Sequence, residues 1–253
     1  MSATLFVTAL IDLGTVAPEL KSVETRLAHF RTLAQTGIPL CVFTSSAYAT
    51  ALQDVCRECP NVHLHRCIEL QETPTYRMCE AHKDSLPAMR NVVKDTAEFL
   101  TLMNAKLDFM DEAAQAHDAR QLAWIDFNVW HVVRNTEQVA ANLQRIAASE
   151  LDTEQVCIPG CWPAGPVARE RISWRFCGGF FLGKKEAIAR FVEAYRKQAH
   201  AIFAAQGLTW EVNVWAILEQ SDAFAPCWYK ADHNDTLFQI PDNCFTSDIL
   251  HSP

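Results

Sequence analysis

The chain has 253 residues, 49% hydrophobic and 21% charged, enough apolar matter for a packed core and too much for a disordered chain. With 30 acidic against 22 basic residues, a formal net charge of -8 and no basic run or stripe, the composition excludes a partner that must be tracked through its phosphates, so no nucleic acid is expected. Residues 1–20 carry no basic stretch ahead of their apolar part and are interrupted by Asp12, and no window reaches the apolar length of a membrane helix. A cytoplasmic protein without signal peptide or transmembrane segment is therefore expected.

Residues 4–10 (TLFVTAL) have strand composition and lead into a loop, Ile11-Asp12-Leu13-Gly14. Over 23–34 the apolar residues Leu27, Phe30, Leu33 and Ala34 fall on one helical face, and Gly37 supplies the stop. Residues 38–44 (IPLCVFT) form a second buried strand, so strand, helix and strand make a right-handed βαβ unit with parallel strands, and the α/β class follows. A helix over 48–59 precedes an alternating strand over 61–67, which puts His63 and His65 on one face as a solvent-facing pair rather than a metal site. Residues 69–87 hold Pro74 and Pro87, show no period and read as an irregular excursion.

Helices over 95–103 and 105–116 follow, the second turning Leu107, Met110 and Ala114 inward. The uncharged run Leu122, Ala123, Trp124, Ile125 suits a strand covered on both faces, and it runs straight into Asp126, with Asn128 two positions on. An unpaired carboxylate is costly to bury, so Asp126 belongs at the strand's exit, on the edge where open α/β sheets bind ligands. There it is satisfied either by a cation or ligand hydroxyl, or by loop amides as a helix cap. A further amphipathic helix spans 136–148 and a short strand 156–159. The turn formers of 159–166 (PGCWPAGP) separate the chain into two parts. Residues 174–183 (WRFCGGFFLG) have strand composition on both sides of Gly178 and Gly179, which predicts a hairpin with a tight turn or a close backbone approach at the glycines. The longest helix covers 184–205, a shorter one 210–219 after a break at Gly207, and residues 229–235 gather acids around His233.

Ten cysteines would permit disulfides, yet Cys41, Cys67 and Cys177 lie in apolar or strand-like runs, the setting of buried free thiols, and a reduced protein is expected. Cys56 and Cys59 make a CxxC near Cys67, Cys79, His63 and His65, but the spacings match no zinc ribbon or finger.

Six segments in order, TALIDLG (8–14), NAKLDFM (104–110), AWIDFN (123–128), WRFCGGFFLG (174–183), TWEVNVW (209–215) and ADHND (231–235), are more informative together than singly. The set resembles the HtrL/YibB family of glycosyltransferases and, more widely, the nucleotide-diphospho-sugar transferase superfamily of GT-A fold. The resemblance spans nearly the whole chain. It implies one domain over 1–253, with a nucleotide-sugar-binding half (1–135) and an acceptor-binding half (136–253), built on a mixed, mainly parallel central sheet flanked by helices. The implied activity moves a sugar from a nucleotide-diphosphate donor, expected to be UDP-linked, to a hydroxyl of a glycan or glycoconjugate, with Mn2+ or Mg2+ at the diphosphate.

The same resemblance assigns expected roles. Asp126 and Asn128 stand where the family has its DxD motif, and His233 stands at the late histidine ligand. Asn128 departs from the acidic pattern and would offer only a neutral carbonyl oxygen to a metal, or contact ribose instead. Lys106 is expected either at the diphosphate or as a solvated helix lysine, and Thr8, Ala9 and Asp12 at the base and ribose. Gly178 and Gly179 would let donor and acceptor approach the backbone, while Trp174 or Trp210 either stack on a pyranose or pack in the core. Glu211 is the expected general base in an inverting enzyme, or the stabiliser of an oxocarbenium-like state in a retaining one; the alternative is a first-turn helix acid. Two other classes stay open, a non-catalytic nucleotide- or glycan-binding protein of this fold and a metal-dependent phosphohydrolase that would need Asp12. The IDLGT stretch (11–15) is also similar to an actin-like phosphate loop, and Asp12 to a haloacid-dehalogenase nucleophile, each without the rest of its pattern.

Overall fold

The computed structural model describes residues 4–14 and 22–246; Thr15, the last residue of IDLGT, and part of the stretch 1–20 lie outside them. In chain order the elements are β1 (Thr4–Leu10), α1 (Val23–Ala34), β2 (Leu40–Thr44), α2 (Ala49–Glu58), β3 (Val62–Cys67), α3 (Pro74–Glu80), α4 (Ala97–Asn104) and α5 (Lys106–Ala116). They continue with β4 (Gln121–Ile125), α6 (Thr136–Ala148), β5 (Cys157–Gly160), β6 (Phe180–Lys184), α7 (Lys185–Gln206), α8 (Glu211–Gln220) and β7 (Cys227–Lys230).

Among the described residues, seven strands form one sheet in the order β3-β2-β1-β4-β6-β5-β7. All run parallel except β6, which is antiparallel to both β4 and β5. The fold is therefore α/β with a mixed, mainly parallel sheet flanked by helices, the class expected. The βαβ connections leave the carboxyl ends of the parallel strands, and the amino end of β6, on one edge.

Both faces of the sheet are covered, which is why its central strands read as uninterrupted apolar runs. Val7, Cys41, Phe43, Leu122 and Trp124 pack beneath α4, α5, α7 and α8. Phe6, Leu10, Val42, Ala123 and Ile125 face α1, α2 and α6. Trp215 of α8 anchors the first layer, meeting Phe181 and Phe191 edge to face at 5.3 and 5.5 Å, contacts of roughly 0.5–1.5 kcal/mol each beyond the area they bury. Among the described residues no single helix is long and apolar enough to cross a membrane.

Two local expectations are corrected. The excursion 69–87 contains α3, because the Thr73 hydroxyl accepts from Tyr76 N at 3.2 Å and Pro74, at the first helical position, starts the helix rather than breaking one. The glycines at 178 and 179 do not join a hairpin: only β6 forms. The Trp174 carbonyl instead accepts from Cys161 N and Trp162 N, and the Pro159 carbonyl from Cys177 N at 2.8 Å, so the segment before the glycines lies across the end of β5. Residues 227–230, to which the sequence assigned no element, form β7, a four-residue strand after Pro226 paired parallel with β5.

Candidate active site

At the carboxyl edge a cleft of about 400 Å³ opens between the ends of β4 and β6, the start of α8 and the segment following β7. Lys106, Asp126, Trp174, Gly178, Gly179, Trp210, Glu211 and His233 all line it. Residues drawn from five of the six family-like segments thus share one cavity.

Its floor is an ion cluster built around Lys106, which is 1% exposed. The ammonium donates to the Gly178 carbonyl at 2.8 Å and to Glu211 Oε1 at 2.9 Å, and lies 3.1 Å from Asp126 Oδ1. Burial pulls the lysine pKa down, but the carboxylates of Asp126 and Glu211 outweigh it and leave the value raised, so Lys106 is a cation. One cation against two carboxylates leaves the cluster with an excess negative charge. All three ammonium protons are committed, which leaves none for a diphosphate; the expected phosphate contact is not what this geometry provides, nor is Lys106 a solvated helix lysine.

The chain reaches this arrangement through buried polar residues flanking Lys106. Asn104 Nδ2 donates to the Thr209 carbonyl at 2.9 Å, while its Oδ1 accepts from Tyr195 Oη at 3.0 Å, so the turn entering α8 is held against the α4–α5 junction. Asp108 accepts from Thr75 N at 2.8 Å and pins α3. Glu211 is then the first residue of α8, where a helix N-terminus favours an acid, and its side chain is 6% exposed. Asn213 ties the cleft wall to the same helix: its Oδ1 accepts from Ser173 N at 2.7 Å and its Nδ2 donates to the Arg171 carbonyl at 3.1 Å.

Asp126 leaves β4 at the strand's exit. Its N–H donates to the Gly179 carbonyl at 2.9 Å, and its Oδ1 accepts from Trp124 Nε1 at 2.7 Å. Among the described residues no donor reaches Oδ2, which faces the cleft beside Gly179 with the side chain 36% exposed. Gly178 has a steric reason to be glycine: a Cβ there would stand 2.2 Å from Glu211 Oε1 and 3.2 Å from Val212 Cγ1.

The remaining expected residues lie elsewhere or differently. Asn128 is not on the cleft wall; its Oδ1 accepts from His29 Nδ1 at 2.7 Å, on the α1 side of the sheet. Thr8 is fully buried with a hydroxyl that has no partner among the described residues, Ala9 is buried, and neither lines the cleft. Asp12 is exposed beyond β1, where its Oδ1 accepts from Gly14 N at 3.0 Å and Tyr48 Oη at 3.2 Å, as a loop acid closing its own turn. Trp210 is buried, whereas Trp174 is 37% exposed and meets His233 edge to face at 4.5 Å. His233 Nδ1 is 3.6 Å from Asp232 Oδ1 and 3.9 Å from Cys177 Sγ.

Two residues of the site escaped the sequence reading, one lining the cleft and one buried behind it. Lys94 stands on the wall with its ammonium 5.0 Å from the Phe99 ring and no carboxylate partner among the described residues. Trp124 orients Asp126 through its indole N–H. No periodicity separates Lys94 from any other loop lysine; the only signal for Trp124 was its place two residues before Asp126.

The donor set in the cleft fits a hard divalent ion in part. Asp126 Oδ2 is an unshared carboxylate oxygen and His233 an imidazole in the same cavity, and Mg2+-class ions take one or two carboxylates and complete their shells with substrate phosphate and water. Asn128, engaged by His29, supplies nothing to this set.

No protein-family model and no curated protein matches the chain. Among solved structures, mouse xyloside xylosyltransferase 1 in its apo form is similar over 90% of this chain and 84% of its own, at 10% identity and a TM-score of 0.41. The 4-diphosphocytidyl-2C-methyl-D-erythritol synthase of Anaerococcus prevotii is similar over 90% and 86% respectively, at 8% identity and a TM-score of 0.45.

Proposed function

We propose that the chain is a GT-A-type glycosyltransferase, similar to the HtrL/YibB family. In this reading it moves a sugar from a nucleotide diphosphate donor, UDP-linked by expectation, to a hydroxyl of a glycan or glycoconjugate. The observation that carries the proposal is the buried Lys106 holding Asp126 and Glu211 side by side at the floor of one cleft, with Asp126 Oδ2 left unshared and His233 on the same wall.

Asp126 Oδ2 and His233 would hold a Mn2+ or Mg2+ ion, which, when bound, neutralises the charge developing on the leaving diphosphate. Lys94 supplies the free cationic side chain on the cleft wall. Lys106 works as a positioning residue: its three bonds fix both acids and the glycine backbone within the cleft. In an inverting transfer the acceptor oxygen bonds the anomeric carbon, the bond to the diphosphate breaks, and Glu211 takes the acceptor's proton; in a retaining one Glu211 stabilises positive charge on the sugar ring. Trp174, exposed on the rim, presents a face for a pyranose.

Thermal melting of the full chain with UDP and Mn2+, alongside hydrolysis and transfer assays over a panel of UDP sugars, tests the reading. UDP with Mn2+ should raise the Tm, and Asp126→Ala should abolish turnover. If neither ligand moves the Tm and Asp126→Ala leaves every activity untouched, the reading fails; UDP binding without turnover would assign the chain to a non-catalytic binder.

A further inference from the structure

On the same α5-covered face of the sheet as the cleft floor, but toward its opposite, amino-terminal edge, four residues that the proposed transfer does not use come together. Cys41 is the second residue of β2, His63 and His65 lie on β3, and His117 directly follows α5 and precedes β4. Cys41, His63 and His117 sit toward the amino-terminal ends of the parallel strands and His65 in the second half of β3. His65 packs on Phe43, 4.8 Å between rings, so the β3 histidines project onto the face that α5 covers.

We propose that Cys41, His65 and His117 form a binding site for a tetrahedral divalent ion of the zinc class. His117 Nε2 is 3.6 Å from Cys41 Sγ and 3.2 Å from His65 Nδ1, and the three ligand atoms all lie within 4.8 Å of one another. For metal bonds of about 2.3 Å to sulfur and about 2.0–2.1 Å to nitrogen, a tetrahedron places neighbouring ligand atoms roughly 3.3–3.6 Å apart, so two edges of the polyhedron already exist.

The surroundings are those of a metal site. His65 presents Nδ1 to the cluster because Nε2 lies 3.3 Å from Glu112 Oε1, and Glu112 is itself held by Arg66 Nε at 2.6 Å. A carboxylate behind a ligating imidazole fixes its tautomer and ring plane. His117 is fixed through its backbone, its N–H donating to the Ala113 carbonyl at 3.0 Å. One thiolate and two imidazoles without a carboxylate ligand select a zinc-class ion over Mg2+ or Mn2+, which separates this site from the cleft. His63, exposed and with its ring 5.6 Å from that of His117, or a water completes the shell. On binding, the Cys41 thiol proton passes to solvent as the thiolate bonds the ion. The ion clips edge strand β3 and β2 to the end of α5, the helix that carries Lys106 at its start.

The test uses the full chain stripped of metal and titrated with Zn2+ alone, then with Co2+ as a spectroscopic stand-in. Two other thiol clusters, Cys157 with Cys227 and Cys244, and Cys161 with Cys177 and His233, are internal controls because each would give at least two thiolate bonds. The wild type should bind one equivalent more than His65→Gln and His117→Gln. That equivalent should give a four-coordinate cobalt spectrum with single-thiolate charge transfer, absent from Cys41→Ala. Glu112→Gln, which leaves every ligand in place, should weaken binding roughly 10–100-fold. Zn2+ should raise the Tm of the wild type above its metal-free value but leave that of His65→Gln at its own metal-free value. Equal stoichiometry and equal Tm shifts in wild type and both histidine variants, or no Zn2+ binding by the wild type, would overturn the proposal.

Discussion

Replacing Lys106 with methionine removes the ammonium while keeping an unbranched apolar stem of similar length. Glu211, 6% exposed at its side chain, is then left without its cationic partner, and breaking a buried pair by removing one partner costs roughly 3–5 kcal/mol. The Gly178 carbonyl also loses its donor, a loss of about 1–3 kcal/mol that overlaps the first because one entering water could serve both groups. Asp126, 36% exposed at its side chain, is screened by solvent and adds little. The expected destabilisation is about 4 kcal/mol, a large part of the roughly 5–15 kcal/mol typical of a domain. With a urea slope of about 2–3 kcal/mol/M, the midpoint should fall by roughly 1.3–2 M at unchanged slope, followed by tryptophan fluorescence. Adding Glu211→Gln neutralises the stranded acid, so the double variant should recover about 1–3 kcal/mol relative to additivity. A loss below about 1 kcal/mol for Lys106→Met, or strict additivity of the pair, would refute the assignment of Lys106 as the charge that holds the site together.

Other outcomes follow from the same geometry. The Lys106 pKa is raised above 10.5 because Asp126 and Glu211 outweigh burial, so its stabilising share is complete below that pH and fades as pH climbs through the folded value. The stability gap between wild type and Lys106→Met should be flat around neutrality and shrink in strong alkali; a gap that widens there contradicts the ion cluster. Gly178→Ala, whose methyl would meet Glu211 Oε1 at 2.2 Å, should cost about 1–3 kcal/mol and remove most turnover, and full activity would show that Glu211 need not hold its place. Asn213→Ala strands Ser173 N and the Arg171 carbonyl and should cost roughly 2 kcal/mol, with amide exchange accelerated at 171–174; unchanged exchange would separate that wall from α8. Thr8→Val removes a buried hydroxyl that has no partner among the described residues and should leave stability equal or up by about 1 kcal/mol with UDP affinity unchanged, whereas lost affinity would return Thr8 to the base site.

Sequence alone was sufficient wherever a residue's fate depends on its near neighbours. The bounds of β1, α1 and α6 follow from apolar spacing and capping side chains, and the uncharged run before Asp126 placed that acid at a strand exit, because burial on two faces tolerates no charge along the way. Tertiary structure decided what depends on distant partners. Lys106 meets Gly178 and Glu211 across 72 and 105 positions of chain, and nothing in the helical period of α5 distinguishes a lysine that caps two acids from one that faces water. The pair His63 and His65 read as solvent-facing until a parallel neighbour and a helix end brought Cys41 and His117 beside them. Hydrophobic patterning records which side of an element is covered; only packing determines which polar groups meet beneath the cover.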